Sequence, residues 1–520
     1  MGFRGIGALC IGMALFCSIA APVAAAPVAT MPCLDGQRCP SWTATYDGSV
    51  QGSDIAGPVI ANDDGSRVYV GGYSTGPGGR SSIVQAYDST GSRLWMSTGS
   101  SDPAKPLAET TALQLAPDES ILYAVTVARD FNSVDCSFII SSVDVSDGSL
   151  RWSSTVPKGA RSCHPYWSVW NQVPDAKLSP DGKRLYVSTT VQTGQRFDDH
   201  DQLVGLTTAF DVSDGSVKWQ QETPVEGNGF VNWHLAVSRD DEVFVSSSPI
   251  AFSQTDGGLL LTEWQLRAFA GDDGDPLWTA HYDCRRVFGA PGADNDYKFC
   301  NPPDIATADR TVFLAGSNSQ INNGTSQIVA FDASSGDKLW SADDDPRGGY
   351  LYASSRALVA GGGKVVSGHV LLPPTVAVAG FSPRLEAPRY VTIARSARTG
   401  ELLWRQEVEA NTPKNGTNCP SCGPFLAADR DLERVYLSGS FPVYQSLVVV
   451  AAFDGASGAR LWDSTTSWDL SSIYLQYPRG MAVSGNGDAL AISGMAAVAS
   501  PTCAINFLSC SDFAVMTFNE

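Results

Sequence analysis

One string recurs along almost the whole chain and constrains its fold more than any other feature. An apolar, β-prone run ends in Asp, passes through a glycine turn, and reaches a tryptophan eight residues after the Asp. Ala209-Phe210-Asp211 leads through Gly215 to Trp219, Ala330-Phe331-Asp332 through Gly336 to Trp340, and Ala452-Phe453-Asp454 through Gly458 to Trp462. Looser copies are Asp88, Gly91, Trp95, one residue shorter; Asp144, Gly148, Trp152; Ala268, Gly274, Trp278, with Ala270 in the Asp place; and Ala394, Gly400, Trp404, with Ser396 there. Self-similarity of this kind must be read before length, because it replaces a guess of several domains with one repetitive unit.

Each copy reads as two strands around a tight turn. Ile328-Val329-Ala330-Phe331-Asp332 is apolar and β-prone, Ser-Ser-Gly is turn chemistry with glycine supplying positive φ, and Lys338-Leu339-Trp340 starts the next strand. Upstream lies a second pair of strands, as in the runs 178–187 and 115–124, each broken by a Pro-Asp turn. Four strands per repeat make one blade of a β-propeller, and the regular tryptophan is expected to pack between neighbouring blades. An eighth tryptophan, Trp42, has no preceding Ala-x-Asp strand, whereas Phe513 to Asn519 is such a strand with no tryptophan after it. The prediction is therefore an all-β chain, an eight-bladed propeller of four-stranded antiparallel blades, with the N-terminal strand completing the last blade and removing an exposed edge. Seven blades is the alternative, should one repeat be degenerate.

The string Ala-x-Asp-x-x-(Thr/Ser/Asp)-Gly-x-x-x-Trp resembles the repeat of the pyrroloquinoline quinone (PQQ)-like propeller superfamily, over roughly residues 42 to 519. That superfamily contains quinoprotein alcohol dehydrogenases, which are eight-bladed, and non-catalytic relatives such as a scaffold lipoprotein of outer-membrane assembly. The resemblance implies the fold; it does not by itself imply the chemistry. The dehydrogenases' adjacent Cys-Cys pair has no counterpart here. Cys419-Pro-Ser-Cys422 is followed by Gly423, so no c-type haem string is present. The family's calcium ligands and catalytic Asp cannot be placed by motif.

Net charge is −19. Such a chain is a poor partner for nucleic acid, which needs a basic surface. Arg4, the apolar run from Ile6 to Ala21 and the small residues Ala24 to Ala26 read as a secretory signal, residues 1–26, ahead of a single propeller domain over 33–520. The apolar run is short for a membrane anchor and no later span is present, so a secreted or periplasmic monomer is expected. Cys10 and Cys17 belong to the signal. The remaining ten cysteines fall as sequence neighbours, Cys33 with Cys39, Cys136 with Cys163, Cys284 with Cys300, Cys419 with Cys422 and Cys503 with Cys510, which suggests local disulfides that staple loops. Cys419 and Cys422 read as such a staple in preference to a redox pair, since no helix is expected there to lower a thiol pKa.

Function on a propeller is expected in the loops at the axis. The residues singled out there are His164, Trp167, Trp233, His234, Tyr352, Arg356, Tyr477 and Arg479. They form either an aromatic and cationic pocket or a plug for the channel. Asp294 and Asp296 offer oxygens to a calcium ion, or form a solvated acidic loop. Gly72-Tyr73-Ser74-Thr75-Gly76 matches a nucleophile-elbow string, but Pro-Gly-Gly follows where a helix is required. The reading is a binding module for an unidentified protein or small molecule. The alternative is an oxidoreductase of alcohols or sugars that depends on PQQ and Ca2+.

Overall fold

The computed structural model describes residues 37–48, 52–99, 105–129, 136–156, 174–197, 200–223, 230–252, 259–261, 263–283, 299–300, 303–319, 325–344, 351–372, 389–409, 424–441, 447–466, 474–497 and 511–519. The elements among them are all strands. They form seven hydrogen-bonded sheets, six of four or five strands and one of eight. The eight-stranded sheet is two meanders, spanning 55–98 and 107–155, that share one parallel bridge between Arg80 and Leu107.

The sheet formed by Asp175–Leu178, Arg184–Phe197, His200–Asp211 and Val217–Glu222 shows how the sequence builds the unit. Asp211 Oδ1 accepts from the Ser213 N–H at 2.9 Å and from the Ser213 hydroxyl at 2.6 Å, while the Gly215 N–H donates to the Asp211 carbonyl at 2.8 Å. This Asx turn fixes the reversal, and Gly215 takes a φ of +72° that a side chain would resist. The register then shifts between Ala209 and Phe210, so that Ala209 stands opposite Trp219. Ala330 and Trp340, and Ala452 and Trp462, are paired the same way. The small residue leaves room for the indole.

That indole reaches the next unit. The Trp95, Trp152, Trp219, Trp278, Trp340 and Trp404 indole N–H groups donate to the carbonyls of Val145, Val212, Gly271, Ala333, Ala397 and Gly455, at 2.7–3.1 Å. Each acceptor is the residue after the Asp place one repeat later. The turn glycine of that later repeat lies under the ring: a Cβ added to Gly91, Gly148, Gly215, Gly274, Gly336, Gly400 or Gly458 would come within 2.5–2.8 Å of an indole carbon of Trp42, Trp95, Trp152, Trp219, Trp278, Trp340 or Trp404 respectively. Aliphatic side chains fill the rest of the gap. One cluster joins Tyr123, Val125 and Ile140 to Leu185, Val187 and Phe210 of the following sheet. Full burial of such a side chain stabilises by about 1.5–3 kcal/mol.

The first strand of each unit is the innermost. Ile55–Ala61, Leu107–Leu115, Asp175–Leu178, Phe230–Val237, Asp304–Ala308, Leu351–Gly361, Phe425–Ala428 and Tyr474–Val483 each lie against the next, and the last lies against the first. The final sheet is assembled from both ends of the chain. Tyr474–Val483, Ala489–Ala497 and Ser511–Asn519 are completed by Trp42–Tyr46, with Trp42 opposite Thr517 and Tyr46 opposite Phe513. No glycine turn joins these two outer strands, and Arg38 stands where that turn would cover Trp462. Its guanidinium lies 5.8 Å from the Trp462 ring centroid, its backbone N–H donates to the Asp463 carbonyl at 3.1 Å, and its side chain donates to the Asn519 carbonyl.

Cys39 and Cys136 each stand in a disulfide. Cys33, Cys163, Cys284, Cys419, Cys422, Cys503 and Cys510, and the side chain of Cys300, lie outside the described residues, as do residues 1–36.

Candidate functional site

The innermost strands carry an uneven load. Counting back from the first turn of each unit, Asp175, His234 and Asp304 occupy the same position on three successive inner strands, where Pro58, Ala112, Ala357, Phe425 and Gly480 stand elsewhere. Backbone pairing holds this arc in place. The Leu235 N–H donates to Asp175 Oδ2 at 3.0 Å, which ties the carboxylate to the next sheet, and the Ala176 N–H donates to Asp175 Oδ1 at 2.8 Å. The strand bulges between Asn232 and Leu235, and buried Ser246 accepts from the His234 N–H at 3.1 Å. A bulge at this point re-aims a side chain.

The His234 Nδ1 lies 3.7 Å from Asp175 Oδ2, and the Lys177 ammonium lies 3.5 Å from Asp175 Oδ1. Burial works against the protonated imidazole, but Asp175 and Asp304 outweigh it and move the His234 pKa up. Burial pushes the Asp304 carboxyl up, only partly opposed by His234. Asp175 is held well below the usual carboxylate range, because Lys177 and His234 overcome its burial. His234 keeps 44 % of its side-chain surface open although crowding is the first influence on its protonation. The arc can therefore hold a proton between two carboxylates, or accept a cation there.

Of the residues singled out from the sequence, His234 lies in this arc. Arg479 is exposed on its inner strand, with Nη1 3.4 Å from Glu109 Oε1. Trp233, Tyr352, Arg356 and Tyr477 lie on inner strands, their side chains outside the described residues; Arg356 stands one residue before the arc's strand position, which Ala357 holds. His164, Trp167, Asp294 and Asp296 lie outside the described residues. Asp175 and Asp304 were missed. Their shared place before the first turn of each unit is the sequence signal that marks them. Among the described residues one group of ligand-type side chains converges closely enough to hold a metal ion: Asp47, Asp54 and Asp512, at the seam between the last sheet and the first. No helix among the described residues is long and apolar enough to cross a membrane.

The family model described as outer membrane protein assembly factor BamB matches residues 84–280 and 167–440. No curated protein matches the sequence. Similar solved structures include the quinohemoprotein alcohol dehydrogenase of Comamonas testosteroni, at 13 % identity over 93 % of this chain and 76 % of that one, with a TM-score of 0.46. A europium-containing methanol dehydrogenase is 11 % identical over 92 % of both chains, with a TM-score of 0.46. Sqt1 of Chaetomium thermophilum is 10 % identical over 91 % of this chain and 97 % of that one, with a TM-score of 0.48.

Proposed function

Because this chain belongs to the family of PQQ-like repeat propellers, we propose that it is a binding module whose axial face takes a cationic group presented by a protein or small-molecule partner. The observation that carries this reading is the arc of Asp175, His234 and Asp304, two carboxylates either side of an imidazole on successive inner strands. An ammonium or guanidinium seated there would relieve the mutual repulsion of the carboxylates and the desolvation of Asp304. The net charge of −19 would favour the approach of such a partner. The proposed frame is eight blades, counting the eight-stranded sheet as two, closed by Trp42–Tyr46. Residues 1–26 would be removed on export, leaving a secreted or periplasmic monomer with locally paired cysteines.

PQQ is a tricarboxylate and calls for cations set against it. The described axial residues offer the carboxylates of Asp175 and Asp304, while the Lys177 ammonium already lies against Asp175 and the Arg479 guanidinium against Glu109. This donor set does not fit the quinone, and no step is routed through it.

The test is a calorimetric titration of the mature protein with a lysine-rich decapeptide, its norleucine counterpart, and PQQ with Ca2+. The lysine peptide should bind, and Asp175→Asn with Asp304→Asn should weaken it at least about tenfold, the loss of two charge-assisted contacts. Equal affinity for the double variant would remove the arc as the site. Saturable, calcium-dependent binding of PQQ would favour the oxidoreductase reading instead.

A further inference from the structure

The seam that joins the two ends of the chain carries three carboxylates whose ligand oxygens all lie within 4.8 Å of one another. Asp47 follows the N-terminal strand Trp42–Tyr46, Asp54 precedes Ile55–Ala61 of the first sheet, and Asp512 lies in Ser511–Asn519. The register that pairs Tyr46 with Phe513 sets Asp47 across from Asp512. Like charges directly opposite each other on paired strands are destabilising, so chance does not favour this pairing.

The three differ in how they are held. Asp54 is fully buried and clamped, accepting from the Gly48 N–H at 2.7 Å and the Thr75 N–H at 2.8 Å. Gly48 is required for that clamp, since a Cβ there would lie 3.0 Å from Asp54 Oδ1 and run into the Ser74 hydroxyl. Asp512 is the reverse case. It is only 9 % exposed, and among the described residues no hydrogen-bond donor or cation reaches its carboxylate. Burial first, then the charges of Asp47 and Asp54, push its carboxyl up to about 7. Buried carboxylates in native proteins are paired, hydrogen-bonded or metal-bound. A preset carboxylate, an orphaned one and an exposed one converging from three separate segments is the donor set of a hard cation, which takes carboxylate oxygens and fills the remaining positions with water.

We propose that Asp47, Asp54 and Asp512 bind one hard divalent cation, Ca2+ in preference to Mg2+, which ties the N-terminal strand, the C-terminal strand and the first sheet into one seam. Ca2+ is preferred because it tolerates ligands brought together irregularly, whereas Mg2+ demands near-ideal octahedral geometry. The site is independent of the axial arc.

The experiment is equilibrium dialysis of chelator-stripped mature protein against radioactive Ca2+, with melting followed in parallel. The wild type should bind one ion per chain, with a Kd of about 10⁻⁴–10⁻³ M or tighter, the range of extracellular calcium modules. Asp512→Asn and Asp47→Asn should each weaken binding at least about tenfold and abolish the rise in melting temperature that Ca2+ gives the wild type. In chelator, Asp512→Asn should melt at or above the wild type because one of three repelling charges is gone, which also shows that the variant folds. Asp175→Asn with Asp304→Asn should bind Ca2+ as the wild type does. Absence of binding to the wild type at millimolar Ca2+, equal binding by the Asp512 and Asp47 variants, or loss of binding in the axial variant alone would each overturn the proposal.

Discussion

Replacing Gly274 with Ala puts a methyl group where the Trp219 indole lies. The new Cβ would stand 2.5 Å from Cδ2, 2.7 Å from Cε3 and 2.9 Å from Cγ of that ring, on a backbone held at φ +77°. Two costs combine. A left-handed alanine costs about 1–2 kcal/mol. Displacing the indole adds about 1–3 kcal/mol of overpacking and about 1 kcal/mol for its bond to the Gly271 carbonyl. Gly363→Ala separates the two, because Gly363 also has a positive φ, +73°, but no atom lies within 4 Å of its would-be Cβ. At about 2.1 cal/mol/K of unfolding entropy per residue, a folded domain of roughly 480 residues shifts its melting temperature by about 1 °C for each kcal/mol. Gly274→Ala should therefore melt about 3–6 °C lower and Gly363→Ala about 1–2 °C lower. Thermal melting by circular dichroism, with a Trp219→Ala background to close a double-mutant cycle, reads both. If the two alanine variants melt together, or if removing Trp219 leaves the cost of Gly274→Ala unchanged, the indole is not what the glycine makes room for.

Deleting residues 33–50 strips Trp42 from the Gly91 turn and leaves Ser511–Asn519 with an unpaired edge; melting should fall by at least about 4 °C, with fast hydrogen exchange in that strand, and an unchanged melt refutes the closing role of the N-terminal strand. His369 is fully buried, with Nε2 2.8 Å from the Ser367 hydroxyl, and burial, then Arg405 and Arg395, pull its pKa down to about 3. A folded pKa below the unfolded value of about 6.5 means this contribution is complete above pH 6.5 and is lost as pH falls toward 3, about 3 kcal/mol of it by pH 4.5. Relative to wild type, His369→Gln should lose about 3 °C less between pH 7 and 4.5; parallel losses would place the acid sensitivity elsewhere. Tyr186→Phe removes the hydroxyl that lies 2.8 Å from Asp241 Oδ1 and 3.0 Å from the Gly271 carbonyl, and should lower the melting temperature by about 1–2 °C.

The hairpin geometry was legible in the sequence because it is local. An Asp that caps its own turn, a glycine at positive φ and an Ala opposite the Trp all lie within a dozen residues, and the string repeats. The pairing of Trp42–Tyr46 with Ser511–Asn519 was legible for another reason: each end of the chain carries the half of the repeat that the other lacks. The axial arc was only partly legible. His234 stands out as one of five histidines. Asp175 and Asp304 are two acids among 54, marked only by their place relative to a turn. The seam cluster was illegible, because Asp47, Asp54 and Asp512 meet only where Trp42–Tyr46 pairs with Ser511–Asn519 beside the first sheet, and they share no motif. Asp294 and Asp296, which sit close together in sequence, drew the metal reading instead.

The bond from the Asn519 N–H to the Ser41 hydroxyl joins residues 478 positions apart. In synthesis from the N-terminus, residues 42–46 are made hundreds of residues before Ser511–Asn519, so their pairing waits for the far strand. Until then that segment is a bare strand edge, open to pairing with other chains. The final pairing is thus a search between two distant segments, slowed by the length of sequence it spans. A circular permutant that joins residue 519 to residue 41 through a short linker would turn that search into one more local hairpin, and should refold faster with little change in its contacts.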